Sequence, residues 1–189
     1  MKIYLSDQRK HLQQHLESLK KQSAIIYQKH RLKEKVTSIT INTNKTLEDL
    51  DFFWDYRIFP ENIMTHQTQW AEEKRTMKIG DTIVQQAYLP PSKQCSLKMV
   101  FGVRIKQIIK EENRIGFSYE TLNGHVEMGE SFFTIEKIKE DTMIFKIHTF
   151  SKPGSLLTRA FGPIFAVPYQ TFCTAQALKH VKKQLKLKG

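Results

Sequence analysis

His125, Glu127 and Glu130 are the residues of this chain whose types and spacing come nearest to a reactive cluster. On a strand, His125 and Glu127 project from the same face, and Glu130 joins them if the chain bends at Gly129. One imidazole with two carboxylates can hold a divalent cation or move protons as a general acid and base. The same three residues also suit a polar hairpin in which His125 hydrogen-bonds a carboxylate or a carbonyl and fixes the turn. No second histidine stands at ligand spacing, so neither a metal nor a cofactor is expected, and no residue is assigned as catalytic. A structural or ligand-orienting role is the reading carried forward for the cluster.

Tyr119, Thr121 and His148 are polar groups on strands that can face a cavity or bond across a sheet. Arg159, close to Phe150-Ser151-Lys152-Pro153, can reach a ligand acid or cap backbone carbonyls. Cys173 beside Phe172 reads as a small buried hydrophobe. The chain has no Gly-x-Ser-x-Gly, Walker A, Gly-x-Gly-x-x-Gly or His-Glu-x-x-His motif, which removes the common hydrolase, nucleotide and metalloprotease readings.

These groups must be positioned by a sheet. Residues 6–30 read as a helix with a narrow stripe of Leu12, Leu16, Leu19 and Ile26. Residues 35–43 alternate as a first strand, and Thr46 opens a capping box before a helix carrying Leu50, Phe53, Trp54 and Ile58 up to Pro60. Trp70 sits in a short segment before the turn Lys78-Ile79-Gly80-Asp81. Strands follow at 82–89, at Leu97 to Ile105, around Ile115, Phe117 and Tyr119, from Phe132 to Ile138, and through Met143, Phe145 and Ile147. Connections this short, such as Asn123-Gly124, allow only antiparallel neighbours. From Ser155 to about Lys186 a helical pattern returns, with Leu157, Phe161, Ile164, Phe165, Phe172, Ala175 and Leu178 as its apolar face. Pro163 and Pro168 kink its first part.

The expected architecture is α+β: a curved antiparallel sheet wrapped around a long C-terminal helix, with residues 1–34 as an N-terminal helical extension of a domain spanning 35–189. This order resembles the helix-grip fold of the START-like superfamily, in which sheet and helix enclose an apolar space. Phe101, Phe117, Phe145 and Ile147 from the sheet, and Phe161 and Phe165 from the helix, would line or close it. The candidate ligand-binding set is therefore Phe101, Phe117, Tyr119, Thr121, His125, Glu127, Glu130, Phe145, His148, Arg159, Phe161 and Phe165.

A sharper resemblance lies in the run from Gly116 to Glu130, in Phe150-Ser151-Lys152-Pro153, in Gly162-Pro163 and in Gln170. In this order they resemble the elements of uncharacterised protein family 0548, with Trp70 and Gly80 matching its upstream Trp and Gly. Ser131 stands where that family has a second Glu, Glu120 where Gly is common, and Asn123 where Pro is frequent. The missing acid weakens a mechanism built on paired carboxylates. The resemblance covers about residues 45–182 and implies a function-unknown member.

Charge bounds the partners. The 189 residues carry a formal net charge of +11, with 30 Lys+Arg against 19 Asp+Glu. Residues 1–35 contribute +6 and residues 170–189 another +5, so residues 36–169 are neutral. A polyanion, membrane surface or nucleic acid would then meet the termini weakly, while a small apolar or amphipathic ligand belongs to the body. No apolar run is long enough to span a bilayer, no signal-peptide core follows Met1, and Cys95 and Cys173 show no metal or disulfide spacing. A cytoplasmic binding protein is the leading expectation, with no prediction of oligomeric state. A small cyclase- or hydrolase-like enzyme using His125 with Glu127 or Glu130 is the alternative, and a basic adaptor the second.

Overall fold

The computed structural model describes residues 1–90, 96–154 and 167–186. Its frame is one eight-stranded antiparallel sheet. The strands are β1 (Lys2–Tyr4), β2 (Lys33–Asn42), β3 (Met64–Thr68), β4 (Thr82–Leu89), β5 (Leu97–Glu111), β6 (Arg114–Thr121), β7 (Glu127–Lys139) and β8 (Thr142–Pro153). Seven follow the spatial order β2-β8-β7-β6-β5-β4-β3, and β1 pairs with β5. β4 and β1 both oppose Lys98 to Val100, so they flank β5 on opposite edges, and β1 continues the line of β6. The helices are α1 (Leu12–Lys20), the single turns α2 (Asp51–Trp54) and α3 (Gln69–Glu72), and α4 (Val167–Lys186).

The alternation read along the strands sets which side chains look inward. Val103, Ile105, Phe117, Phe133, Ile135, Met143, Phe145 and Ile147 join one core on the concave face. β-Bulges between Ile105 and Gln107 and between Lys137 and Lys139 accentuate the curvature of the two longest hairpins. α4 lies across this face and adds Ala177, Leu178, Val181 and Leu185, and the Thr43 hydroxyl donates to the Leu185 carbonyl at 2.7 Å. Its buried face is therefore 173, 177, 178, 181 and 185, whereas Phe172 and Ala175, placed on that face by the sequence pattern, are exposed. The helix begins at Val167, so Pro168 falls in its first turn, where the missing N–H is no loss and no kink follows. Leu157, Phe161, Pro163, Ile164 and Phe165 lie outside the described residues.

The expected helix over 6–30 is shorter. It ends at Lys20, because Ser23 to Ile25 leave it to pair with the end of β6: Ile25 N–H donates to Thr121 O, and Asn123 N–H to Ser23 O. Ile26 is consequently 95% exposed instead of completing the stripe. Leu12, Leu16 and Leu19 do pack, against Val84, Val100 and Leu122 on the convex face of β4 and β5. Gly102 makes this close approach possible, since a Cβ there would lie 2.9 Å from Leu19 Cδ2. The Thr46 box forms with Asp49, whose carboxylate accepts the Thr46 N–H and hydroxyl, but the helix after it is a single turn. Tyr56, at φ 61°, takes the chain out of it, and Leu50, Phe53, Tyr56 and Ile58 plug one end of the concave face.

At Gly129 β7 leaves no room for a side chain against β8: its φ is 150°, and a Cβ would stand 1.9 Å from the Phe150 carbonyl oxygen. Gly129→Ala is expected to cost about 3 kcal/mol or more, from strain and backbone displacement together. Urea unfolding monitored by circular dichroism measures it, and an unchanged midpoint would contradict this account.

Candidate functional site

Among the described residues, the plug at one end of the concave face leaves the other end open. Between the sheet and the first turns of α4 lies a cavity of about 380 Å³. Its wall is mainly apolar, with Phe59, Met64, Ala87, Met99, Phe101, Phe133 and Ile147 among the lining residues. The polar lining comes from Tyr119, His125, Glu127, Ser131, Thr149, Tyr169, Gln170, Cys173 and Thr174. That size and balance are typical of small-molecule sites, whose volumes run from about 300 to 1,000 Å³.

Each polar group is placed by simple geometry. Glu127 and Ser131 are four residues apart on β7 and so share the concave face, and Ser131 meets its register partner Thr149 at 3.2 Å between hydroxyl oxygens. Gln85 donates through its amide to the Tyr56 hydroxyl, and the Tyr56, Tyr119 and Ser131 hydroxyls carry this chain of hydrogen bonds to the cavity. From α4, Gln170 donates its side-chain amide to Glu127 Oε2 at 3.0 Å, and the Tyr169 hydroxyl donates to the Tyr88 carbonyl at 2.6 Å.

His125 is buried with its ring edge-on to Phe101 at 4.4 Å between centroids, and its Nδ1 accepts the Glu127 N–H at 3.0 Å. Burial pushes its pKa down to about 3, so the ring is neutral. Glu127 moves the other way. Burial lifts its carboxyl to about 7, against the opposing pull of the Ser151 hydroxyl and the charge of Lys35. Burial likewise raises the Cys173 thiol to about 11, which leaves it an unreactive free thiol.

Of the residues expected at the site, Phe101, Tyr119, His125 and Glu127 line this cavity. Phe117 lies one layer behind, stacked on Phe133 at 5.3 Å, and Phe145 is packed against Phe53 in the filled part of the core. Thr121 uses its hydroxyl to accept the Gly129 N–H at 3.0 Å. His148 is on the convex face, 2.7 Å from Glu34. Glu130 does not join His125 and Glu127, because β7 pairs with β8 without a register shift from Glu127 to Lys137 and no bend occurs at Gly129. Strict alternation therefore sends Glu130 through to the convex side, where it is bound by Lys106 at 3.1 Å, Ser118 at 3.2 Å and Tyr27 at 3.2 Å. Arg159, Phe161 and Phe165 lie outside the described residues.

Sequence reasoning did not place Ser131, Thr149, Tyr169, Gln170 or Cys173 at the site. Counting two by two from Glu127 finds Ser131, and its cross-strand register then finds Thr149. Nor is the wall confined to the neutral body, for Met1 and Ile3 line it too, brought there by the pairing of β1 with β5. No group of three or more His, Cys, Asp or Glu able to hold a metal occurs among the described residues. No helix among them is long and apolar enough to cross a membrane.

The comparisons with known proteins agree with this architecture. The family model described as "Domain of unknown function (DUF1990)" matches residues 53–180. No curated protein sequence matches the chain. Among solved structures, a hypothetical protein of Helicobacter pylori superposes with a TM-score of 0.63 at 8% identity, covering 87% of this chain and 97% of that one. A START superfamily protein from Mycobacterium smegmatis gives 0.53 at 11% identity, covering 81% and 97%. A major latex-like protein of Panax ginseng gives 0.51 at 9% identity, covering 82% and 99%. At these identities the likeness is one of fold, and the fold is the START-like helix grip.

The raised pKa of Glu127 has a sign that can be tested. In the unfolded chain the carboxyl ionises near 4.5, in the folded chain near 7. The folded state therefore binds the extra proton between those values, and stability falls as pH rises through them. Glu127→Gln, which stays neutral, should match wild type at pH 4.5 and be more stable at pH 8, by up to ~3 kcal/mol. Urea midpoints at the two pH values measure the difference, and equal midpoints at pH 8 would show that the carboxyl is well solvated.

Proposed function

The chain belongs to DUF1990, a family of unknown function, and we propose that this member is a cytoplasmic binding protein for a small hydrophobic or amphipathic ligand. The observation that carries the reading is the 380 Å³ mainly apolar cavity with polar groups such as Glu127 and Gln170 in its wall. Burying an apolar ligand there gains roughly 25 cal/mol per Å² removed from water, while the polar groups can fix its orientation. The two carboxylates that would make a paired acid–base site stand on opposite faces of the sheet, which favours binding over that chemistry.

A second reading draws on one observation. His125 and Glu127 line the same space, and a carboxyl with a pKa of about 7 suits a general acid or base near neutral pH. Under that reading a molecule co-purified with Glu127→Gln is chemically altered when wild-type protein is added. Under the binding reading it is returned unchanged.

The binding reading is tested with N-phenyl-1-naphthylamine, a neutral fluorophore that brightens in apolar surroundings. Wild-type protein should bind it saturably, one per chain. Ala87→Phe, which projects a ring into the cavity, should weaken binding at least tenfold while the circular dichroism spectrum stays native. Saturable binding of equal strength in both proteins would place the fluorophore elsewhere and defeat the proposal.

A further inference from the structure

Glu127 and Glu130 stand three residues apart on one strand, and the fold treats them oppositely. Glu130, 3% exposed, is neutralised by Lys106 and receives further hydrogen bonds from Ser118 and Tyr27. Glu127 has the Gln170 amide and the Ser151 hydroxyl, and among the described residues no Lys or Arg forms an ion pair with it. A carboxylate withdrawn from water ordinarily has a counter-charge, because desolvation without one is costly.

Among the described residues, the groups facing it supply only part of that charge. On the cavity side, His125 is held neutral, and burial raises the pKa values of Tyr119 on β6 and of Tyr169 and Cys173 on α4. Lys35 on β2 acts on Glu127 through its charge but makes no ion pair with it, its ammonium donating to the Thr171 hydroxyl at 2.9 Å. The Met1 α-amino group is turned to the Gly124 carbonyl, and burial lowers its pKa. Among the described lining residues, Glu127 is thus the single acidic side chain, and none is Lys or Arg.

We propose that the cavity selects an amphipathic ligand bearing a protonated amine, whose ammonium group pairs with Glu127 while its apolar body lies against Met99, Phe101, Phe133 and Ile147. The inference deepens the binding function proposed above and rests on it. The ligand's charge supplies the direct ion pair that Glu127 lacks among the described residues, so part of the cost of ionising it is met on binding. An amphipathic carboxylate, by contrast, would bring a second negative charge beside Glu127. Because an alkylamine stays protonated up to about pH 10 while Glu127 ionises near 7, affinity for the amine strengthens as pH rises from 6 to 8.

Decylamine, decanol and decanoate share one apolar chain and differ in head group. Isothermal titration of the full chain at pH 8 should give decylamine at least tenfold tighter than decanol, with decanoate weakest. Wild-type affinity for decylamine should drop several-fold at pH 6, and that for decanol should not move. In Glu127→Gln the two should bind alike, with no pH slope. Because the Met1 amine is unchanged in that variant, a persisting slope or a persisting amine preference would overturn the proposal. So would decanoate binding as tightly as decylamine. The wild-type pH series stands as a test even if the variant fails to fold. Decanol binding without an amine preference refutes the charge selectivity alone, whereas no binding by any of the three refutes the binding function and this inference with it.

Discussion

Strand β5 is buried on both sides from Lys98 to Ile105, apart from the partly buried Met99 and Arg104, and that constraint organises the rest of the molecule. Phe101, Val103 and Ile105 look into the concave face, while Val100 and Gly102 look outward. A sheet with apolar side chains on both faces needs two covers. α4 and the segment from Leu47 to Ile58 cover the concave side, and α1 covers the convex side through Leu12, Leu16 and Leu19. The outer cover is tight, for Gly102 leaves no room for a side chain beneath Leu19. Among the described residues the inner cover is incomplete at the end where α4 begins, and that gap is the cavity.

The chemistry of the cavity follows from the same alternation. β7 passes a carboxylate to each side of the sheet, and the two meet different solvents. On the outside, lysine, serine and tyrosine side chains gather around Glu130, and a buried charge is stable there. On the inside the surroundings are apolar, and Glu127 ionises only near neutrality. The neutral imidazole of His125, its Nδ1 engaged by the backbone of Glu127, shapes the loop that brings Glu127 to the cavity mouth.

Much of this order is legible in the chain itself, because period-two alternation of large apolar residues survives in every long strand. Phe117 and Tyr119, or Phe145 and Ile147, declare a common face without any reference to their partners. What alternation cannot convey is how a strand continues past its apolar residues. The bend imagined at Gly129 would have united Glu127 with Glu130. The glycine is there for another reason, the approach of the Phe150 carbonyl from the neighbouring strand. The short helix α1 shows the same limit, since its end is decided by pairing of Ser23 to Ile25 with β6, a contact across about a hundred residues. The buried face of α4 departs from the sequence pattern at Phe172 and Ala175 for a related reason: with apolar residues on several sides, the partner surface of β2 and β8 selects the buried stripe. Gln170 and Tyr169 reach the cavity only because of that rotation.

The three-residue strand β1 has a consequence of a different kind. It lies outside residues 53–180, the portion this chain shares with its family, yet Met1 and Ile3 form part of the cavity wall. Its attachment is through main-chain pairing with Lys98 to Val100, a bond type indifferent to side-chain identity. The side chains it presents to the cavity are therefore free to vary without disturbing the sheet that carries them. In evolutionary terms, one panel of the cavity wall is an interchangeable part, and two relatives with the same core can acquire differently shaped interiors by altering this strand alone.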